Sequence, residues 1–203
     1  IQQADAKEEL IALSRTDSLT GLYNRRAFVE SVEQFIEARS ESGHRAALIY
    51  VDLNNFKSVN DTFGHIQGDA ALKAAAQLMA DSAQADDLVG RIGGDEFALW
   101  LEVEDQAEAE KRAADLAELS QGLSEYSKDL PAPFGMAIGI ALFEPDSDEE
   151  IDELFARADH AMYAAKRDVE QEFILAPPAD TADKVAPQMA RNIETERSDG
   201  AVR

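Results

Sequence analysis

The sequence predicts a mixed α/β domain (α+β) in which a central, mostly antiparallel sheet is flanked by helices. Three observations carry this prediction. Ala46 to Val51 is an unbroken apolar run, Ala-Ala-Leu-Ile-Tyr-Val, and the lack of alternation means that both faces are covered, as in a central strand. Leu88 to Val103 reads apolar run, Gly93-Gly94, apolar run, the pattern of a hairpin whose glycines supply the positive φ of a tight turn. Segments of helical period separate these strands, giving the order helix, strand, two helices, hairpin, helix, strand, helix.

Each element has its own signal. Residues 1–16 set Leu10, Ile11 and Leu13 among Ala, Gln, Glu and Lys, a helix with one apolar stripe. So short a helix is marginal alone and is expected to continue an upstream helix or to pair with a second copy. Turn and cap residues from Asp17 to Leu22 end it, and Asn24 caps a helix from Arg25 to about Ala38 carrying Phe28, Val29, Val32 and Phe35. Ser40 to Gly43 is loop. After the central strand the helical pattern breaks at Gly64-His65 and resumes through Leu72, Ala76 and Met79 to about Ala83. Ala107 to about Ser124 is an amphipathic helix. Phe134 to Phe143 is a strand in which Gly139 marks a bulge or a close backbone approach. Ser147 or Asp148 caps a helix through Ile151, Leu154, Ala158 and Met162 to about Arg167, and Phe173 to Leu175 is a short last strand. From Ala176 no apolar face is sustained, which reads as a disordered or loosely packed tail. The expected division is a signalling helix at 1–16, a catalytic domain at 17–175 and a tail at 176–203.

Bulk composition narrows the function. A chain of 203 residues can bury one good core. A formal net charge of −22 argues against non-specific nucleic-acid binding and against attraction to anionic membranes. The absence of cysteine removes disulfides and thiolate metal sites, and suits a cytoplasmic location. No apolar stretch has the length of a membrane span, so no membrane contact is expected of this segment. The chain opens at Ile1, which points to a fragment of a longer protein whose upstream part holds a sensor or a membrane anchor.

The chemistry lies in acids at strand ends. Asp95 and Glu96 follow the glycines where a strand should begin, and strands are poor hosts for carboxylates. They read either as half of a divalent-cation site or as a solvated acidic turn. Asp52 ends the apolar strand and reads as a metal ligand, with the Leu53 carbonyl as a second hard oxygen, or as a helix cap. A hairpin beside the central strand would bring Asp52, Asp95 and Glu96 to one sheet edge, where they repel unless cations lie between them. Magnesium suits such a site, because one or two carboxylates and substrate phosphates satisfy it. Amides of the turn at Asn54-Asn55-Phe56-Lys57 form an anion pocket to which Lys57 adds charge, unless that lysine is merely solvated. Asn60 and Asp69 have the donors and acceptors to read a base edge, or serve as cap and turn residues. Arg91 reads as a structural partner of Asp17, His65 as a turn residue, and Trp100 and Tyr50 as core.

Gly93-Gly94-Asp95-Glu96-Phe97 resembles the signature of the GGDEF family of diguanylate cyclases. Three further stretches share the resemblance: Asp17 to Arg26, Asp52 to Asp69, and Ala158 to Lys166. It implies a nucleotidyl-cyclase, palm-like fold. It also implies a Mg²⁺-dependent reaction, or one with Mn²⁺ in its place, that condenses two GTP into cyclic di-GMP across a homodimer of facing half-sites. Position by position, Asp52, Leu53, Asp95 and Glu96 would hold metal, and Glu96 would assist deprotonation of the attacking hydroxyl. Asn55, Phe56 and Lys57 would cradle phosphates, with Lys57 stabilising developing charge, while Asn60 and Asp69 would read guanine. Lys166 would reach the terminal phosphate. The alternative is a catalytically silent GTP-binding or protein-interaction module.

Two departures from the family pattern stand out. Glu170 takes the place of an arginine after the closing lysine, leaving Arg167 as the nearest substitute. Gln84 replaces the arginine of the Arg-x-x-Asp product-inhibition motif, of which Asp87 remains, so weak or absent product inhibition is expected.

Overall fold

The computed structural model describes residues 15–39, 45–145, 147–168, 171 and 173–179. In chain order these form β1 (Tyr23–Asn24), α1 (Arg25–Arg39), β2 (Arg45–Asn54), α2 (Phe56–Phe63), α3 (His65–Ser82), β3 (Leu88–Arg91), β4 (Glu96–Val103), α4 (Gln106–Ser120), a 3₁₀ segment (Gln121–Ser127), β5 (Gly135–Phe143), α5 (Ile151–Arg167) and β6 (Phe173–Leu175). The six strands make one sheet in the order β1-β3-β4-β2-β5-β6. The pairings β2–β4, β2–β5 and β3–β4 are antiparallel, and the outer pairings β1–β3 and β5–β6 are parallel.

The apolar run at 46–51 is indeed interior, and each of its faces meets a separate core. Ile49, Val51 and Leu53 face α2, α3 and α4, packing with Val59, Leu72, Met79 and Leu116. Leu48 and Tyr50 face α1 and α5, packing with Phe28, Val32, Leu154 and Met162. Trp100 is fully buried on this second side, its ring 5.6 Å from both Phe35 and Phe143. Each large side chain so buried contributes about 1.5–3 kcal/mol, which is why the doubly covered strand pair anchors the rest.

Several expectations need correction. The strand continues two residues past Asp52 to Asn54, because β5 pairs with it as far as Asn54↔Gly135. Asp52 is therefore inside a strand, 9% exposed, rather than beyond one. Strand β1 is too short to leave a periodic signal. Neither Ser147 nor Asp148 caps α5; Glu150 does, in a reciprocal capping box with Glu153. Ala176 and Pro177, expected to open the loose tail, are tied down: the Ala176 amide donates to the Ile140 carbonyl at 2.7 Å, and Arg157 donates to the Pro177 carbonyl at 2.9 Å. The helix expected at 1–16 falls outside the described residues up to 14. The loop at 40–43, Glu170 and the tail from 180 onward also fall outside them.

Arg157 is a buried hub that the sequence reading missed. Its guanidinium makes two bonds to the Glu149 carboxylate, at 2.5 and 2.8 Å, and one to the Leu142 carbonyl at 2.7 Å. This holds the start of α5 to the far end of β5. Gly139 has the second of its two foreseen roles, close approach. A Cβ there would collide with the Met162 amide and the Ala158 carbonyl, so α5 lies backbone against backbone on β5. Because backbone cannot swing aside, Gly139→Ala is expected to cost about 3 kcal/mol or more in urea unfolding. An unchanged midpoint would contradict this packing.

Candidate functional site

The site begins with strand register. In the β2–β4 pair, Asp52 stands directly opposite Glu96, the last rung of that ladder. One residue on, the Leu53 amide donates to the Asp95 carbonyl at 3.1 Å. The N–H and C=O of one strand residue point to the same side, so the Leu53 carbonyl is also directed toward the Asp95 loop. Asp52, Leu53, Asp95 and Glu96 thus share one sheet edge, as foreseen. Helix α5 adds two charges. Lys166 donates through Nζ to Asp52 Oδ1 at 2.6 Å, and Asp159, two helical turns earlier, acts electrostatically on both Asp52 and Glu96.

This crowd of acids shifts its own ionisation. Burial raises the Asp52 carboxyl above its ordinary range; Lys166 pulls it back, and Asp95 and Asp159 push it up again. Burial likewise raises Glu96, helped by Asp52, Asp159 and Asp95 and opposed by Arg25. The phenol of Tyr50, beneath the same edge, is pushed up to about 12 by burial and by the charges of Glu96, Asp159 and Asp52, against Arg25.

The glycine loop corrects the hairpin reading. Neither Gly93 nor Gly94 has φ in the left-handed region, and β3 and β4 are joined by the four residues 92–95. What the glycines supply is room. A Cβ on Gly93 would land on the Glu96 carboxylate, whereas Gly94 borders open space. The loop is held by Arg91, whose Nε and Nη2 donate to the Gly94 carbonyl at 3.1 and 2.6 Å and whose Nη1 donates to Asp17 Oδ1 at 3.0 Å. Arg91 is therefore structural. Burial works against the Asp17 charge, but bonds from the Thr20 hydroxyl and amide and from Arg91 outweigh it and lower its pKa.

The chain leaving β2 builds the second half of the site. Asn55 takes the left-handed conformation (φ 63°, ψ 16°), one that Asn tolerates, and its Nδ2 donates to the Pro133 carbonyl at 2.7 Å. This turns the first amides of α2 out at the same end of the sheet, where a helix start has no internal acceptors for them. Lys57 is exposed there. Phe56 packs inward against Phe134 and the core on that side of the sheet, so its side chain belongs to the core and only its amide is available. Gly64 (φ 84°) then folds α3 back on α2. Asn60 lies so close against Gly68 that a Cβ there would overlap its side-chain amide, with Asp69 exposed at the next position. Asn60 thereby packs against the residue that precedes Asp69. His65 is exposed at the start of α3.

Among the described residues, no three His, Cys, Asp or Glu side chains close into a ready-made metal cage. The donors still fit magnesium, which binds through one or two carboxylates with waters and substrate phosphates. A cation already touches the set, since the Lys166 ammonium stands on Asp52.

The sequence reading passed over Asp159, Arg25 and Gly68. The first was legible, since seven residues before Lys166 is the same helix face two turns away. The position of Arg25 near Glu96 depends on β1, and the fit of Gly68 depends on a contact between two helices; neither leaves a local pattern. Asp87, kept from the product-inhibition motif, is a structural acid. It accepts from Arg112 at 2.6 Å, from the Gln84 amide at 2.7 Å and from the Glu102 amide at 3.2 Å.

Known proteins share this sequence and fold. A family model described as "Diguanylate cyclase, GGDEF domain" matches residues 14–172. The chain is 37% identical over 163 residues to a bifunctional diguanylate cyclase/cyclic di-GMP phosphodiesterase, MucR, of Pseudomonas aeruginosa, covering 80% of this chain and 24% of that protein. It is 33% identical over 186 residues to the diguanylate cyclase DgcP of Escherichia coli, covering 88% and 52%. The chain thus spans between about a quarter and a half of the length of these two relatives. Among solved structures, the GGDEF domain of YfiN (TpbB) from Pseudomonas aeruginosa matches with a TM-score of 0.71 and 32% identity, covering 85% of this chain and 99% of that one. The coiled coil and GGDEF domain of DgcB from Caulobacter crescentus, in complex with c-di-GMP, matches with a TM-score of 0.69 and 27% identity, covering 86% and 92%. No helix among the described residues is long and apolar enough to cross a membrane.

The raised Glu96 carboxyl makes a prediction with a definite sign. Its folded form binds a proton more tightly than its unfolded form, so ionisation above the ordinary value of 4.5 lowers stability. In EDTA, Glu96→Gln is expected to raise Tm at pH 7, and the gain should fade below pH 4.5, where the native carboxyl is protonated in both states. A variant melting at or below the native protein at pH 7 would oppose this.

Proposed function

The chain belongs to the GGDEF-domain family of diguanylate cyclases, and from that premise we propose that it condenses two GTP into cyclic di-GMP and two pyrophosphates as a homodimer of facing half-sites. One observation carries the proposal: the Asp52↔Glu96 rung, with Asp95 and Leu53 beside it, lies at the sheet end where β2 runs into the Asn55 turn and the first amides of α2. Acids for a cation and amides for phosphate therefore lie at one end of the sheet. GGDEF diguanylate cyclases are generally metal-dependent.

In the proposed reaction the 3′-hydroxyl of each GTP attacks the α-phosphorus of the GTP held by the other copy. A P–O bond forms, the bond to pyrophosphate breaks, and the hydroxyl proton leaves with help from Glu96. Mg²⁺, or Mn²⁺, held by Asp52, the Leu53 carbonyl, Asp95 and Glu96, would supply neutralisation of phosphate charge and acidification of the attacking hydroxyl. The amides of Asn55 to Lys57 hold the β- and γ-phosphates, the Lys57 ammonium offsets developing charge, and Lys166 reaches the terminal phosphate. Asn60 and Asp69 fix the guanine, and much of the rate comes from such positioning. Weak product inhibition is part of the proposal, since the family arginine is absent at Gln84 and Asp87 is committed to Arg112.

The test is incubation with GTP and Mg²⁺ at high protein concentration, with cyclic di-GMP measured by chromatography. Turnover that falls roughly 10²-fold or more in Glu96→Gln is expected. GTP binding without product would instead make the domain a silent regulatory module. A second variant probes base reading. Gly68→Ala should displace the Asn60 side chain, which is free to rotate away, and raise KM for GTP about tenfold while Tm stays near that of the native protein. An unchanged KM would remove Asn60 from substrate recognition.

A further inference from the structure

Lys166 has a partner that its proposed phosphate role does not call for. Its Nζ lies 2.6 Å from Asp52 Oδ1, with the carboxylate side chain 12% exposed and the lysine side chain 41% exposed. Asp52 is the most enclosed acid of the edge, and Asp95, Glu96 and Asp159 all bear on the same space. Arg25 bears on Glu96 and Tyr50, whereas the cation bonded to Asp52 is Lys166. Removing the ammonium without replacing its charge would leave Asp52 inside a strand among like charges.

We infer that Lys166 is a resident stand-in for the cation at Asp52, and that its exchange couples metal binding to nucleotide binding. The inference rests on the cyclase reading of the edge. Mg²⁺ takes carboxylate oxygens at about 2.0–2.1 Å, and at that distance from Asp52 it is repelled by the ammonium held on Oδ1. Metal arriving alone therefore works against Lys166, and displacing the lysine leaves its ammonium without a partner. Metal arriving with a nucleoside triphosphate offers the evicted ammonium a phosphate instead, at the end of a side chain already more than a third exposed. One residue thus penalises metal without nucleotide and rewards the two together. By reciprocity, each ligand tightens the other by the same factor.

The test reads metal occupancy and not turnover. Mn²⁺ binding is measured by electron paramagnetic resonance, with and without a non-hydrolysable GTP analogue, in the native protein, Lys166→Met and Lys166→Arg. Without nucleotide, Lys166→Met is expected to bind Mn²⁺ at least about fivefold more tightly than the native protein, and the tightening caused by the analogue should shrink by a similar factor. Lys166→Arg, which keeps a cation on Asp52, should stay close to the native value. Equal or weaker Mn²⁺ binding by Lys166→Met overturns the inference and leaves the cyclase reading standing. Absence of Mn²⁺ and analogue binding from all three proteins overturns both.

Discussion

The pairing of β2 with β4 is the constraint on which the rest depends. A slip of one residue would separate Asp52 from Glu96 and turn one of them to the opposite face. Alternation usually fixes register, but β2 is apolar on both faces and carries no such instruction. Volume supplies it instead. Trp100 is packed between Phe35 and Phe143, and Gly139, opposite Tyr50, lies under the backbone of α5. Packing at the middle of the sheet therefore sets which acids meet at its end.

Charge is then handled locally and by different means at the two ends. At the far end Arg157 and Glu149 neutralise each other while buried, with carbonyls of Leu142 and Pro177 taking two further donors. Such a set organises backbone. At the other end the acids are out of balance: Asp95 and Asp159 bear on both Asp52 and Glu96, against Lys166 at the first and Arg25 at the second. That imbalance is what gives the edge its capacity to take up a cation, and Arg91 keeps the loop in place without entering it.

Much of this was legible in the sequence. The central strand, the hairpin, the helix break at Gly64 and the gathering of Asp52, Asp95 and Glu96 all followed from periodicity and residue type. What was missed depended on side-chain packing that local pattern does not record. Glycines 93 and 94 looked like a turn because local rules assign glycine to conformation, but Gly93 is required by the carboxylate of Glu96. Arg157 gave no signal because its partners lie in three separate segments. Asp87 was seen only as the remnant of a motif, which does not record that Arg112, 25 residues away, holds it.

The contact at Gly139 has a kinetic consequence for the opposite end of the sheet. With α5 seated backbone on backbone and fixed at its start by Arg157, the helix has no freedom to slide or roll across β5. Whatever exchanges at Asp52 must then be accomplished by the methylene stem of Lys166. Side-chain rotamer changes at exposed positions take picoseconds to nanoseconds, whereas collective helix and domain movements take microseconds to milliseconds. A rigid frame thus leaves this edge with a rapid local gate, so its occupancy can follow ligand concentration without waiting on the fold.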